Sequence, residues 1–409
     1  MTWPTGANRN ERLDDALRRH AYDLLVALTP ENANYLCGLT NYIATYWRVP
    51  GLFSVAAGPN RKRAVATSDF AVDPTAPSPY PVFTYTGWAE VVDVRNVSGG
   101  SIQERAVSSR PDPIARPAQF DLAEIAKTVV AAILAVDPNP RRIGADLALV
   151  DAGTLHRLSQ LVPGAEWIDA SGVFADLRAI KDPEEIAQLR LAAELAQTGI
   201  ASAAAQISLG QTEVAVNANY QIAVHEFAAS DPRFLGFRQV EGGAAIGFGP
   251  DSKRVVIPGE TVKFDCTVDV GGYHSDLGRT FAHKPTADQR EVYQALRHAL
   301  AAVQDKVTPG IAVSEVHAAG IEAMRQAGFA NYSRGHLGHS DGLTHHFEEG
   351  PFIAADEARP IVAGMVLSLE LPYYLHGVGA FQLERMVVVN DHGHEALDLL
   401  PFDFELPLA

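Results

Sequence analysis

Residues 262–281 read VKFDCTVDVGGYHSDLGRTF and place three carboxylates, Asp265, Asp269 and Asp276, within twelve positions. Val262, Phe264, Val268, Val270 and Tyr273 give the segment a strand-like composition, and Gly271-Gly272 is a two-residue hairpin turn. A turn there sets Asp269 opposite His274, Thr267 opposite Asp276 and Asp265 opposite Gly278. Alternation then puts all three aspartates on one face of the ladder. Carboxylates facing each other across a ladder repel, which leaves two readings. One is a wet outer face on which salt weakens the repulsion. The other is a cation held between the strands, because hard divalent metals prefer oxygen ligands.

Two further clusters extend this chemistry. GHLGHSDGLTHHFEEGP (335–351) carries His336, His339, His345, His346 and Asp341 among glycines, a composition suited to backbone passing close to a ligand. A chance histidine-rich loop is the alternative for any one of these residues. Glu370, in MVLSLELPYY, and Glu384, in FQLERMVVV, each interrupt an apolar strand-like run. Either can point outward from a half-buried strand. If buried, each costs several kcal/mol unless a cation or firm hydrogen bonds offset it. Taken together, two aspartates, one histidine and two glutamates form an oxygen-rich set with one nitrogen donor. Such a set can hold two divalent ions that lower the pKa of a shared water and polarise a carbonyl, the equipment for amide hydrolysis at neutral pH.

The elements that must position these groups are legible in outline. The first part alternates strand-like runs (22–28, 141–146) with an amphipathic helix (120–136), and 98–119 reads as a long Gly/Ser/Pro-rich surface loop. This predicts an α/β domain over 1–172. In KDPEEIAQLRLAAELAQTGI, Asp182 caps a helix, Pro183 suits its first position and Glu185 completes a capping box. Helical patterns at 211–228, 286–306 and 313–327 follow, interleaved with antiparallel-looking strands, so 173–409 reads as an α+β domain. No tandem repeat is apparent. A chain of 409 residues with 47% hydrophobic residues can bury two full cores. A formal charge of −16 would be repelled by nucleic acid and by anionic membranes, so neither is expected as a partner. Two cysteines cannot build a disulfide framework, and the first twenty residues lack a signal peptide's apolar core. These features predict a soluble, cytoplasmic protein.

At these residues the chain resembles the pita-bread metallopeptidases: methionine aminopeptidases, Xaa-Pro aminopeptidases, prolidases and creatinases. YLCGLTNY (35–42) resembles the start of a creatinase/prolidase-type N-terminal domain, and AIKDPEEIAQLRLAA the passage into the catalytic domain. The resemblance selects Asp265 and Asp276, eleven apart and followed by Arg279-Thr280, and leaves Asp269 as a neighbour. It selects His339 from GHSDGL, Glu370 from SLELPYY and Glu384 from QLER as the remaining metal ligands. It implies two divalent ions, manganese first, with cobalt, zinc or iron as alternatives. It assigns catalysis to Glu370, as ligand and proton shuttle, and to His346, seven residues after the metal histidine.

Other positions depart from the family. The acidic residue expected after His346 is Phe347, and a histidine expected about seventeen residues before the first aspartate is Phe248. The arginine expected two residues before the last glutamate is Gln382. A histidine expected four before the metal histidine is Gly335, with His336 one place off. Phe248, His336 and Gln382 are therefore the candidate substrate-binding residues. The leading expectation is a dinuclear Xaa-Pro-type peptidase acting on a dipeptide or short peptide. The alternative is a creatinase-like hydrolase of a small non-peptide C–N bond, with altered or absent metal dependence. A binding protein that has lost the site is a third reading, disfavoured by five retained ligands. The resemblance also implies a homodimer, in which Tyr46-Trp47 would line a neighbour's pocket unless they are ordinary core or loop aromatics.

Overall fold

The computed structural model describes residues 3, 8–72, 78–249, 253–344 and 348–406. Two compact units divide the chain, Pro4–Phe174 and Met1–Trp3 with Ala175–Ala409. In the first, α1 (Arg9–His20) begins at Asn8, whose side chain accepts from the Asn10 and Glu11 N–H groups, and leads to β1 (Leu24–Ala27). Then come α2 (Pro30–Cys37), α3 (Tyr42–Trp47), β2 (Ser54–Ala57), β3 (Arg63–Ser68), β4 (Val82–Tyr85), α4 (Ile102–Ser109) and α5 (Leu122–Val136). β5 (Arg142–Ala145), α6 (Ala152–Leu161) and β6 (Glu166–Asp169) follow, and α7 (Ser171–Ala179) runs across the boundary at Phe174.

The strands form one mixed sheet in the order β4-β3-β2-β1-β5-β6. Central β1 is buried along its whole length, as its unbroken LLVA run requires. Ile125, Val129, Ile133 and Val136 recur at helical spacing on α5 and are buried. Helix α4 corrects the expectation of a loop over 98–119. Its capping box, Ser101 with Glu104, starts a helix that buries none of its residues, so no apolar stripe announces it. Trp47 meets Trp88 and Phe120 edge-on, while Tyr46 is 73% exposed.

The second unit uses one plan twice. Helices α8 (Pro183–Ala205) and α9 (Glu213–Ser230) precede β7 (Phe237–Ile246), β8 (Thr261–Val270), β9 (Tyr273–His274) and β10 (Leu277–Ala282). Helices α10 (Ala287–Lys306) and α11 (Val313–Gln326) precede β11 (Gly338–Ser340), β12 (Val366–Glu370), β13 (Tyr373–Leu375), β14 (Gly379–Phe381), β15 (Glu384–Asn390) and β16 (Gly393–Ala396). The two main sheets run β10-β8-β7 and β11-β12-β15-β16, antiparallel throughout. The shared plan is a matter of topology, which explains why no repeat shows in the residues. Among the described residues, no helix is long and apolar enough to cross a membrane.

The capping box at Asp182 and Glu185 forms as expected, and Glu185 also accepts from the Tyr273 hydroxyl at 2.9 Å, fastening the helix start to the hairpin end. Leu296 and Leu300 of α10 join Leu367, Leu369 and Val387 in a dry core. Because β12 alternates, Ser368 and Glu370 are left on its other face.

Candidate metal centre

The hairpin has the expected register, with Asp265 opposite Gly278 and Asp269 opposite His274. Gly271 and Gly272 make the turn at φ 66° and 89°, the left-handed region that a two-residue hairpin turn requires. Asp269 is committed to that turn: its Oδ1 accepts from the Gly272 N–H at 2.7 Å. Gly278 has a different purpose. A Cβ there would lie 2.6 Å from Gln382 Cγ and 2.8 Å from Glu384 Cβ, so the bare backbone lets β10 approach the strand carrying the last glutamate. The Arg279-Thr280 pair bolts this approach. Arg279 is fully buried and donates to the carbonyls of Gly278 (2.8 Å) and Glu384 and to the Asp398 carboxylate. The Thr280 hydroxyl donates to the Gln382 carbonyl (3.0 Å) and accepts from the Gln382 N–H (2.8 Å).

Glu370 and Glu384 are directly opposite each other in the β12–β15 ladder, and both are buried. Ligand atoms of Asp276, His339 and Glu384 all lie within 4.8 Å of one another. With its Nδ1–H donated to the Ser340 carbonyl (3.2 Å), His339 turns Nε2 toward Asp276 (3.9 Å) and Glu384 (4.0 Å). Burial, then the charges of Asp265, Asp341 and Glu370, pushes the Asp276 carboxyl well up. Burial, then Asp276, Glu370 and Asp265, does the same to Glu384. Asp265 stays accessible, yet loss of bulk water and the Glu370 charge raise it against the lowering effect of Lys263. Burial alone would lower His339, but Asp341, Glu370 and Glu348 outweigh it and raise the imidazole.

Asp276 Oδ1 is buried without a hydrogen-bond partner among the described residues. A crowd of mutually repelling carboxylates around the His339 imidazole, with one orphaned oxygen, fits hard divalent cations, and His336, Glu348 and Glu370 form a second such group beside it. The structure thus brings Asp276, His339, Glu370 and Glu384 together, with Asp265 coupled to them electrostatically.

The other candidates fall around this centre. His336 approaches Glu370 (3.5 Å) and Glu348 (3.2 Å), so the histidine displaced by one place still reaches the site. Gln382 is buried, and its Nε2 donates to Glu370 Oε2 and Glu384 Oε2, each at 3.2 Å. Phe248 stacks on His376 with ring centroids 4.3 Å apart. His345, His346 and Phe347 lie outside the described residues.

Sequence reasoning missed several participants. Arg334 donates to Glu370 Oε1 at 2.6 Å, and Glu348 faces His336. Behind His339, Lys181 donates to the Ser340 hydroxyl (2.6 Å), Ser368 donates to Asp341 (2.7 Å) and Arg178 pairs with Glu349 (2.7 Å). The EE of HHFEEGP was the available signal for the acids; Arg178 and Lys181 carried none. A cleft of about 580 Å³, lined by Asp276, His339, Asp341, Glu348 and Phe352 among others, opens onto the centre.

Residues 187–391 match Metallopeptidase family M24, and residues 9–180 match the Creatinase/Prolidase N-terminal domain. The chain belongs to metallopeptidase family M24. It is 28% identical over 233 residues to the Xaa-Pro dipeptidase of Pyrococcus furiosus, a match spanning 57% of this chain and 66% of that relative, just under two thirds. The prolidase of Pyrococcus horikoshii OT3 superimposes with a TM-score of 0.73 at 17% identity, covering 98% of this chain and 99% of that one. The Xaa-Pro dipeptidase of Bacillus anthracis does so with 0.73 at 19% identity, covering 97% and 98%. These likenesses establish the fold: a creatinase-type N-terminal domain and a pita-bread catalytic domain.

Proposed function

We propose that this metallopeptidase is a dinuclear hydrolase of Xaa-Pro type, cleaving the amide bond of a dipeptide or short peptide, with residues 173–409 as its catalytic domain. The observation that carries the reading is the pair of glutamates buried face to face beside Asp276 and His339. Asp265, Asp276, His339, Glu370 and Glu384 would hold two divalent ions, manganese first. When bound, such ions supply an activated water and a polarised carbonyl. Arg334 and Gln382 hold the Glu370 carboxylate from two sides, which supports assigning it to take a proton from the attacking water and pass it to the leaving nitrogen. His346 is assigned to the developing charge on the carbonyl oxygen.

Phe248 and Gln382 remain the observations favouring a small non-peptide substrate, but the relatives' names point to peptides. We also propose a homodimer, and a cytoplasmic location in keeping with free Cys37 and Cys266. The test is metal analysis of the purified protein together with a panel of Xaa-Pro dipeptides, longer peptides with proline second, small amides and amidines. Chelator-sensitive release of proline supports the reading. Cleavage confined to amidines, or turnover indifferent to chelation, overturns it. His346→Ala should retain metal and lose rate; loss of both would make His346 a ligand.

A further inference from the structure

The cations beside the centre are mostly committed. Arg334 is bound to Glu370 through Nη2, its Nη1 having no partner among the described residues, while Arg178 is bound to Glu349 and Lys181 to Ser340. Lys263 is different. Among the described residues its ammonium has one contact, the face of the Tyr374 ring at 5.6 Å. It precedes Asp265 by two residues on an unbroken stretch of β8, so both side chains leave the same face, about 7 Å apart along the strand. Its charge acts on Asp265. Tyr374 continues into a wall of rings, 6.5 Å from Phe248, which stacks on His376 with planes 7° apart. A positive charge therefore stands next to a cluster of aromatic rings, Tyr374 tilted 43° to Phe248, at the rim of an acidic site.

We infer that Lys263 is a specificity-determining residue that pairs with a carboxylate of the substrate, while Phe248 and Tyr374 pack against the apolar residue bearing it. This rests on the peptidase reading and narrows it to substrates carrying an anionic group close to the scissile bond. A cation on the rim attracts such a group without neutralising the metal ligands themselves. The carboxylate is either the peptide's C-terminus or an acidic side chain, and the substrates tested must separate these.

The experiment compares Ala-Pro, Ala-Pro-amide and Ala-Pro-Asp-amide on the manganese-loaded protein and on Lys263→Met and Lys263→Arg. Methionine keeps an apolar stem against Tyr374. Wild type should prefer at least one carboxylate-bearing peptide over Ala-Pro-amide by about tenfold or more in kcat/KM, the scale of a charge-assisted contact. K263M should erase the preference and K263R restore most of it. Preference for Ala-Pro identifies the C-terminal carboxylate, and preference for Ala-Pro-Asp-amide the side chain. A preference that survives K263M, or its absence in wild type, overturns the inference. If no peptide is cleaved, the peptidase reading falls, and Lys263 is scored by calorimetry with N-acetylproline and its amide. Weaker binding of the acid alone to K263M supports the carboxylate contact; equal binding to both proteins overturns it.

Discussion

Glu384→Gln should stabilise the protein without metal and destabilise it with metal. Glu384 is 2% exposed in its side chain, sits opposite Glu370, and has its ligand atom within 4.8 Å of that of Asp276. Two unit charges 4.8 Å apart repel by about 3.5 kcal/mol at an effective dielectric constant of about 20. Burial and that repulsion raise both carboxyls, so without an ion the cluster retains protons, and the neutral amide relieves only part of the strain, about 1–2 kcal/mol. With an ion at a hundredfold its Kd, wild type gains about 2.7 kcal/mol, most of which the weaker amide ligand forfeits. Thermal unfolding in chelator should show the variant melting about 2–6 °C above wild type. Manganese should then raise wild type well past the variant, and metal analysis should show reduced content. A variant that melts below wild type in chelator, or gains as much from manganese, would refute the reasoning.

Gly278→Ala should cost about 1–3 kcal/mol in denaturant unfolding and weaken manganese binding in titration, because the new methyl group collides with Gln382 and Glu384. Unchanged affinity would mean that β10 moves without disturbing the ligands. Burial pushes Asp269 up to about 6 against the Gly272 N–H. A raised folded pKa means stability present below about pH 4 and lost as pH rises through about 6, by up to about 2–3 kcal/mol. Asp269→Asn should therefore raise the Tm at pH 7.5 and leave it nearly unchanged at pH 4; equal shifts at both would contradict this. Since Asp276 and Glu384 are both raised, metal addition should release protons and apparent affinity should climb with pH. Calorimetry in two buffers of different ionisation enthalpy reads the release, and identical heats would exclude it.

Local signals made the hairpin and the second unit's first helix legible. Gly271-Gly272 fixed the register by a backbone requirement, and Asp182, Pro183 and Glu185 fixed the helix start. Helix α4 escaped because an element that fully buries none of its residues leaves no periodic apolar trace, although Ser101 and Glu104 were visible as a capping box. Glu370 and Glu384 were ambiguous for a different reason. Alternation says that a residue faces away from its neighbours, but not whether that face is wet, and here the close approach of β10 helps to cover it. Arg334, Arg178 and Lys181 reach the site by tertiary folding alone, and their spacing announces nothing.

Asp265 and Asp276 belong to the first run of helices and strands in the catalytic unit, and His339, Glu370 and Glu384 to the second. Neither half can assemble the centre by itself, so bound cations would act as a rivet across the seam. A chain cut between β10 and α10 should then reassociate more tightly with manganese than with chelator, making fragment complementation a direct gauge of ion binding that requires no substrate.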